Sequence, residues 1–432
     1  MRFSKLWPLK EHYMKVASFV LLLISNLLFT GCSKQLHQST STQEQSVVMP
    51  ILVPKVIAQN MSGFTFNFFK ELQSTQSDSD NIFVSPLSLH MDLGMLLNGA
   101  AGNTYNQMTN ALQLQNLSLA EVDSAYQTLL QDLPKADKQV QLGLYNSVWY
   151  RNSFSVEPNY MEQLKNYFDA TVQGLPFVSS DADIINNWAS DKTNGKIKNV
   201  IDKTDITAHS IMFLLNALYF KGNWSTQFDK SKTKDYTFHL ENGNTKQVKM
   251  MMNTDTFHYS FTDNYKAIRL PYGNGQFSMF IILPNTGNTI ADILNSMNAS
   301  EWNNLQNNMN IGKVQIGLPR FEISNYNINL INTLQKMGVT DLFSSSSADL
   351  TKINSNALSL ELYVNLLKQF TYLNVDEQGT EAAAVTVGGI VTTSMPFPSP
   401  SIICDHPFGL IISERTSNTI LFMGRIMNPN SQ

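Results

Sequence analysis

Cysteine and clustered positive charge are both scarce in this sequence. The 432 residues include only two cysteines, Cys32 and Cys404, so no disulfide framework can support the fold. The 30 lysines and arginines are balanced by 34 acidic residues, which gives a formal net charge of -4, and no segment is densely basic. Because a phosphate-binding face needs clustered cations, we expect no nucleic-acid partner.

The common motifs of catalysis and metal binding are also missing. The sequence has no G-x-S-x-G, H-E-x-x-H, G-x-x-x-x-G-K-[ST] or C-x-x-C pattern. Cys404 and His406 are the only closely spaced pair of soft metal ligands, and a structural zinc site takes four ligands. We therefore expect no enzyme active site, no metal and no cofactor.

Charge is absent from one long stretch near the carboxyl end, since the next charged residue after Glu381 is Asp405. Pro396, Pro398 and Pro400 prevent a central strand from continuing past Met395. The local pattern also permits a β-hairpin of residues 382–387 and 390–394 with a Gly388-Gly389 turn. Alternate positions carry small or apolar side chains at the period of a strand that packs one face on a core: Thr380, Ala382, Ala384, Thr386, Gly388, Ile390 and Thr392.

The amino-terminal residues predict secretion. A lysine at position 15 precedes an apolar run that ends in Leu28-Phe29-Thr30-Gly31-Cys32, which resembles the bacterial lipobox. We expect residues 1–31 to be a lipoprotein signal peptide and Cys32 to carry the lipid, with Met1 or Met14 as the start. The protein would then be extracytoplasmic and anchored to the membrane of the bacterial cell envelope or surface. The alternatives are an ordinary signal peptide cut near Gly31, which would release the protein, and an uncleaved anchor.

A polar tether separates this anchor from a folded body. Residues 33–49 are rich in Ser, Thr and Gln, so residues 32–50 are expected to be a disordered linker that reaches roughly 20 Å on average. The body is predicted to cover residues 51–432.

The body mixes helical and strand patterns. Ser85 followed by Pro86 predicts the start of a buried helix, in which we place Asp92 on the exposed side. A second helix is predicted from Ser180 to Gly195, with Ser180 and Asp183 as a capping box. The segment Ile211–Tyr219 is apolar enough for a strand buried on both faces. Further strands are predicted at Tyr145–Tyr150, Ala267–Pro271, Phe277–Pro284, Val314–Pro319 and Phe321–Ser324.

Several of these segments resemble the serpins, a family of protease inhibitors. The resemblance covers about residues 55 to 430, and it includes IINNWASDKTNGKI, FKGNWSTQFD and the carboxyl-terminal HPFGLIISERTSNTILFMGRIMNP. It implies an α+β serpin fold, with many helices, a large central β-sheet and an exposed reactive-centre loop. The family hinge of that loop matches Glu377, Gln378, Gly379, Thr380, Glu381, Ala382, Ala383 and Ala384.

The resemblance implies a monomeric suicide inhibitor whose partners are target proteases. The protease would attack the exposed loop, and the segment from Thr380 would then insert into the large sheet with the acyl-enzyme still attached. The family spacing from Glu377 places the reactive bond at Thr393-Ser394, and the length of the loop also allows cleavage after Ile390, Val391 or Thr392. Since these residues carry no cation, the expected targets are elastase-like or subtilisin-like serine proteases and some cysteine proteases.

The resemblance also implies a polar shutter beneath the sheet, formed by Ser85, Ser88, Asn216 and Gln369. Many serpins carry His and Lys where this chain has Gln369 and Phe370. The shutter would therefore lack a titratable histidine, and we expect the amide of Gln369 to bridge Ser85, Ser88 and Asn216.

Two other classes of function remain open at this point. One is a non-inhibitory serpin that acts as a surface binding protein, and the other is an unrelated adhesin that uses the uncharged stretch as a hairpin. Non-inhibitory serpins tend to carry bulky or charged residues at the inward hinge positions. Thr380, Ala382 and Ala384 are all small, which favours inhibition.

Overall fold

The computed structural model describes residues 48–380 and 400–430, which have mixed α and β structure. The helices in these ranges are α1 (Lys55–Gln73), α2 (Pro86–Gly99), α3 (Gly102–Ala111), α4 (Leu119–Asp132), α5 (Pro158–Phe168), α6 (Asp181–Lys192), α7 (Ile290–Ser296), α8 (Ala299–Asn307) and α9 (Ile331–Lys336). The strands are β1 (Ile82–Val84), β2 (Val140–Arg151), β3 (Thr171–Leu175), β4 (Met212–Asn223), β5 (Lys234–His239), β6 (Thr245–Phe261), β7 (Tyr265–Pro271), β8 (Phe277–Pro284), β9 (Asn310–Pro319), β10 (Phe321–Asn329), β11 (Lys368–Val375), β12 (Gly379–Thr380), β13 (Ser401–Ile403), β14 (Phe408–Glu414) and β15 (Ile420–Ile426).

Two sheets form the framework of the described ranges. One has nine strands in the order β1-β15-β14-β8-β7-β6-β9-β13, with β5 paired to β6. The other has six strands in the order β10-β11-β12-β4-β2-β3. In this six-stranded sheet, the two-residue strand β12 lies between β11 and β4 and is antiparallel to both. We call the region between these two neighbours of β12 the β4–β11 interval.

Helix α2 lies at the centre of the body. Every residue from Pro86 to Gly99 is buried, and the helix packs against β4 and β15 as well as α1, α4 and α5. Its predicted start is confirmed, because the Ser85 hydroxyl accepts a hydrogen bond from the Ser88 N–H at 3.1 Å and Pro86 occupies the first position. The prediction for Asp92 is wrong, since its side chain is only 7% exposed. A helix enclosed on all sides has no solvent-facing stripe on which to place a charge.

Helix α6 lies within the predicted segment but begins differently. Ser180 makes no side-chain cap, and its backbone is already helical, with φ -69° and ψ -18°. Instead, the carboxylate of Asp181 accepts a hydrogen bond from the Val178 N–H at 2.9 Å. The predicted capping box of Ser180 and Asp183 is therefore absent. The predicted stop at Gly195 agrees with its left-handed φ of +76°.

The predicted strands are present, with longer limits in most cases. Strand β4 extends to Asn223, and only its second half is buried as predicted: residues 217–220 are buried, whereas residues 214–216 are half-buried. The first half of β4 borders the β4–β11 interval, where β12 pairs only with Gly222 and Asn223. Strand β8 coincides with its predicted range, and the other four predicted strands lie inside β2, β7, β9 and β10.

Within the described ranges, no helix has both the length and the apolar character needed to cross a membrane.

Candidate functional site

The segment Asp376–Thr380 forms a tight turn that ends in β12. The carboxylate of Asp376 accepts hydrogen bonds from the backbone N–H groups of Gln378 at 2.8 Å and Gly379 at 3.2 Å. Glycine is required at position 379, because a Cβ there would overlap the carbonyl oxygen of Gly222 on β4. The turn thus brings the chain directly from β11 into contact with β4.

Glu377 fixes this turn to the body through a buried carboxylate. Its side chain is 1% exposed, and it accepts hydrogen bonds from the guanidinium of Arg320 and, at 2.6 Å, from the hydroxyl of Thr233. Burial alone would raise the pKa of Glu377, but these two hydrogen bonds, together with a backbone hydrogen bond and the positive charge of Arg320, hold the pKa below the usual glutamate value. The backbone carbonyl of Glu377 also accepts a hydrogen bond from the Phe228 N–H at 2.8 Å.

Thr380 is the last described residue of the hinge, and it points into the protein. Its side chain is 2% exposed, and its hydroxyl lies 2.7 Å from the hydroxyl of Tyr272. The ring of Tyr272 stacks on Trp224, with the ring centroids 4.5 Å apart. The indole N–H of Trp224 donates to the Asp376 carbonyl at 2.9 Å. The aromatic pair therefore holds both ends of the hinge turn.

The other predicted loop residues lie outside the described ranges. They are the hinge residues Glu381, Ala382, Ala383 and Ala384, the reactive-bond residues Thr393 and Ser394, and the alternatives Ile390, Val391 and Thr392. The predicted hairpin of residues 382–394 and the lipid-bearing Cys32 also lie outside them.

The predicted shutter residues come together beneath the six-stranded sheet, in two separate connections. In the first, the hydroxyl of Ser88 donates to Oδ1 of Asn216 on β4. Nδ2 of Asn216 in turn donates to Oδ1 of Asn146 on β2 at 2.6 Å, and the amide of Asn146 donates to the Phe168 carbonyl at 2.7 Å. This chain of amides joins α2 to β4 and β2.

The second connection joins α2 to β11. Oε1 of Gln369 accepts from the Ser85 N–H at 2.8 Å, and its Nε2 donates to the Ser85 carbonyl at 2.8 Å. Gln369 therefore binds the backbone of Ser85 and does not bridge Ser88 and Asn216, which corrects that part of the prediction. β4 and β11 are therefore joined to the start of α2 through different residues, Ser88 and Ser85.

The Cys404 and His406 pair does not converge on a common point. Burial raises the pKa of the Cys404 thiol, which disfavours the thiolate that a metal would need. His406 uses both ring nitrogens elsewhere, with Nδ1 at 2.7 Å from the Asp405 carboxylate and Nε2 at 3.0 Å from the Pro284 carbonyl. In residues 48–380 and 400–430, no three His, Cys, Asp or Glu side chains are grouped as metal ligands would be.

The sequence alone did not identify four residues of this site: Asn146, Thr233, Tyr272 and Arg320. Each contacts a hinge or shutter residue that lies between 57 and 144 positions away in the chain. No local pattern marks them, so only the paired strands reveal their role.

Comparisons with known proteins agree with this architecture. The family model described as Serpin (serine protease inhibitor) matches residues 59–429. Neuroserpin of Gallus gallus is 31% identical over 383 residues, which cover 86% of this chain and 92% of the relative. Leukocyte elastase inhibitor A of Mus musculus is 31% identical over 379 residues, covering 85% of this chain and 97% of the relative.

Solved structures give the same result. The thermophilic serpin tengpin in its native state has a TM-score of 0.79 and 28% identity, with 88% of this chain and 96% of that chain covered. Human thyroxine-binding globulin has a TM-score of 0.78 and 26% identity, with 88% of this chain and 100% of that chain covered. The family model matches most of the chain, and the hinge is paired with both β11 and β4. This protein therefore belongs to the serpin family.

Proposed function

We propose that this serpin is an irreversible inhibitor of elastase-like or subtilisin-like serine proteases, and of some cysteine proteases, and not an enzyme. The main support for the proposal is the position of β12 between β4 and β11. The first inward hinge residue, Thr380, is already paired with Gly222 of β4 and Val375 of β11. Insertion of the cleaved loop would extend a strand that has already begun.

The register of β12 defines where each later loop residue would lie. Because both pairings are antiparallel, each step forward along the loop moves one residue back along β4 and one residue back along β11. Continued in this way, Ala382 would face Leu373, Thr386 would face both Asn216 and Gln369, and Ile390 would face Met212. Eleven residues from Thr380 to Ile390 would then follow β4 over about 36 Å.

This register places the right side chains on the buried face. Along β11, buried and half-buried residues alternate, and Gln369, Leu373 and Val375 are on the buried side. Directly opposed residues share a face of a sheet, so Ala382 and Thr380 would point inward and Glu381 outward. Small side chains would enter the body, and the one charge would remain in solvent.

The energetics support insertion. A strand of this length would form on the order of a dozen hydrogen bonds at about 0.5–1.5 kcal/mol each. The sum is comparable with the total stability of a domain, about 5–15 kcal/mol, although ordering the loop subtracts from it. A metastable fold could therefore use insertion to carry a bound protease away from the hinge.

The sequence of the loop supports the target class. No Lys or Arg lies between Lys368 and Arg415, so a protease whose primary pocket requires a cation has no bond to attack there. Met395 would suit a chymotrypsin-like pocket, but Pro396 follows it and fixes the backbone unfavourably for cleavage. The β-branched residues before Ser394 suit shallow or apolar pockets.

A non-inhibitory binding protein is the second candidate, and the similarity to thyroxine-binding globulin is the observation that favours it. Family membership removes the third alternative, an adhesin unrelated to serpins. The small inward residue Thr380 and its placement within the sheet support the inhibitory alternative.

Incubation with a pancreatic-type elastase and with a subtilisin tests the inhibitory function. We expect a complex that survives denaturing electrophoresis, with a mass close to the sum of inhibitor and protease. Trypsin is the matched negative control, since the loop has no basic residue. Loop cleavage without any stable complex for either protease would favour the non-inhibitory alternative.

The location of the protein is a separate proposal. The run that ends in Thr30-Gly31-Cys32 and the polar residues behind it support a lipid anchor on the bacterial envelope, with the serpin body held off the membrane. Changing Cys32 to Ala should shift the protein from the membrane fraction to the soluble fraction. A variant that still sediments with membranes, together with a parent that incorporates no fatty-acid label, would reject the anchor.

A further inference from the structure

The chain just before α1, residues 48–51, is bound to the body by hydrogen bonds. The side-chain amide of Gln276 accepts from the Met49 N–H at 3.2 Å and donates to the Met49 carbonyl at 2.5 Å. The Ile51 N–H donates to the hydroxyl of Thr416 at 2.9 Å, and the Ile51 side chain is buried in the core. We call residues 48–51 the N-terminal segment. Its backbone is paired with side chains that are more than two hundred positions away in the chain.

Gln276 is fully buried, and every polar group that it carries has a partner. Its Nε2 also donates to the buried carboxylate of Glu414 at 3.0 Å. Its backbone N–H donates to the side chain of Asn274 at 2.8 Å, and its carbonyl accepts from the Arg415 N–H at 3.0 Å. Release of the N-terminal segment would remove the Met49 N–H from Oε1 of Gln276, and losing a partner is costly for a buried polar atom.

Gln276 belongs to the same turn as Tyr272. Residues 272–276 connect β7 to β8, and we call them the β7–β8 turn. The Gly275 N–H donates to the Tyr272 carbonyl at 2.7 Å. Gly273 and Gly275 have left-handed φ values of +47° and +85° and carry no side chains, so packing within the turn is limited. The turn therefore depends on neighbouring segments to hold its shape.

The other end of this turn contacts the hinge. The hydroxyl of Tyr272 lies 2.7 Å from that of Thr380. The Gly273 N–H donates to the Asn223 carbonyl at 2.9 Å, and Asn223 is paired with Gly379 of β12. A continuous path of contacts therefore leads from the N-terminal segment through the β7–β8 turn to both residues of β12.

The β7–β8 turn has one further anchor that does not involve the N-terminal segment. The Asn274 N–H donates to the carboxylate of Asp137 at 2.7 Å, just before β2 begins. This contact would remain if residues 48–51 were released. Loss of the N-terminal segment should therefore loosen the turn without unfolding it.

We propose that Gln276 is a positioning residue for the hinge, and that the N-terminal segment regulates the hinge through it. With the segment bound, the β7–β8 turn is held and Tyr272 keeps Thr380 in the sheet. With the segment released, the turn loosens and the hinge pairs less firmly with β4. The proposal rests on the inhibitory function proposed above, in which the hinge must enter the sheet before the protease is lost. Release of the segment would therefore favour cleavage over trapping.

Hydrogen exchange at two backbone amides reports the state of the hinge without any protease. The N–H groups of Trp224 and Phe228 donate to the carbonyls of Gln378 and Glu377, at 2.8 Å in both cases. Gln276→Ala removes the amide that binds the N-terminal segment. It should speed exchange at both N–H groups about fivefold, which is the effect of one hydrogen bond on a local opening.

Two isoleucine variants separate the N-terminal segment from a general loss of stability. Ile51→Ala shortens the buried side chain that anchors the segment, and Ile57→Ala makes the same change at a buried position of α1. Ile51→Ala should speed exchange at the two amides as Gln276→Ala does, whereas Ile57→Ala should leave it within about twofold of the parent. Equal acceleration in both isoleucine variants, or none in Gln276→Ala, would overturn the proposal.

A double-mutant cycle shows whether the effect passes through Tyr272. Tyr272→Phe keeps the ring and removes only the hydroxyl that contacts Thr380. In the Tyr272→Phe background, Gln276→Ala should change exchange by less than about twofold. Fully multiplied effects would overturn the path through Tyr272. Thr416→Val removes the acceptor of the Ile51 N–H and replaces Gln276→Ala in the cycle if that variant does not fold.

Trapping of elastase or subtilisin provides the readout that depends on the inhibitory function. The ratio of cleaved to trapped inhibitor should rise about threefold in Gln276→Ala and in Ile51→Ala, and Ile57→Ala should match the parent. Faster exchange at the hinge with an unchanged ratio would overturn the regulation of trapping. A parent that traps no protease rejects the inhibitory function, and hydrogen exchange then decides the positioning role of Gln276 alone.

Discussion

The hydroxyl groups of Thr380 and Tyr272 lie 2.7 Å apart in a buried contact at the start of the β4–β11 interval. This contact fixes the face on which the first hinge residue lies. The ring of Tyr272 stacks on that of Trp224. Thr380 therefore contacts a side chain that is itself packed in place.

If the protein inhibits proteases as proposed, changing Thr380 to Arg should convert it from an inhibitor into a substrate. An arginine would bury an unpaired charge against Tyr272, so the hinge would stay out of the sheet while cleavage of the distant loop continues. Quantitative electrophoresis of cleaved and trapped protein measures the change, and Thr380→Ser is the matched control because it keeps the hydroxyl. A Thr380→Arg protein that still traps protease one-to-one would contradict the placement of Thr380.

Changing Arg320 to Ala should weaken the hinge turn, because Arg320 is one of two side chains that bind the Glu377 carboxylate. We expect the uncleaved protein to lose about 1 kcal/mol, as Arg320 is partly exposed. The pKa of Glu377 is lowered in the folded state, so its stabilising contribution is present at neutral pH and is lost as the pH falls through that pKa.

Urea unfolding at neutral pH and at pH below about 4 checks this prediction, since glutamate titrates near that range. The difference between parent and Arg320→Ala should be largest at neutral pH and should shrink in acid. Arg415→Ala, at an exposed position, is the matched control. A difference that is constant across pH would show that Arg320 acts by packing alone.

Changing Asp92 to Leu should stabilise the uncleaved protein at neutral pH by about 1–3 kcal/mol, because it replaces a buried carboxyl group, whose Oδ1 has no hydrogen-bond partner among the described residues, with an apolar side chain. The pKa of Asp92 is raised in the folded protein. Its penalty is therefore absent below the unfolded pKa and appears as the pH rises through the folded pKa. The free energy of unfolding of the variant should exceed that of the parent by little in acid and by most at neutral pH. Unfolding curves at several pH values measure this difference. An equal difference at every pH would argue against a titrating Asp92.

We expect a protease to cut the loop at the bond between Thr393 and Ser394. Mass spectrometry of the released carboxyl-terminal peptide should find a start at Ser394, or at Thr393 or Thr392 if the longer loop is cut earlier. A start beyond Pro396, or efficient trapping of trypsin, would reject the specificity derived from the uncharged loop.

Local sequence patterns predicted the elements of this fold better than its contacts. The cap of Ser85 and the strand Phe277–Pro284 depend on neighbouring residues, and both were found as predicted. Asp92 was misplaced because sequence periodicity does not distinguish a helix enclosed on all sides from one that faces solvent. The role of Arg320 could not be predicted, since its contact with Glu377 depends on how β10, β11 and the hinge turn assemble.

Hydrogen exchange on either side of the β4–β11 interval tests the central claim most directly, because a new strand there would protect backbone amides that now face the interval. The amides of residues 212–221 of β4 and 368–374 of β11 would be compared in the intact protein and after loop cleavage. Insertion predicts strongly slowed exchange at alternate residues of both strands down to Met212, together with a large rise in the unfolding midpoint. Unchanged exchange in these strands after complete loop cleavage would contradict the account.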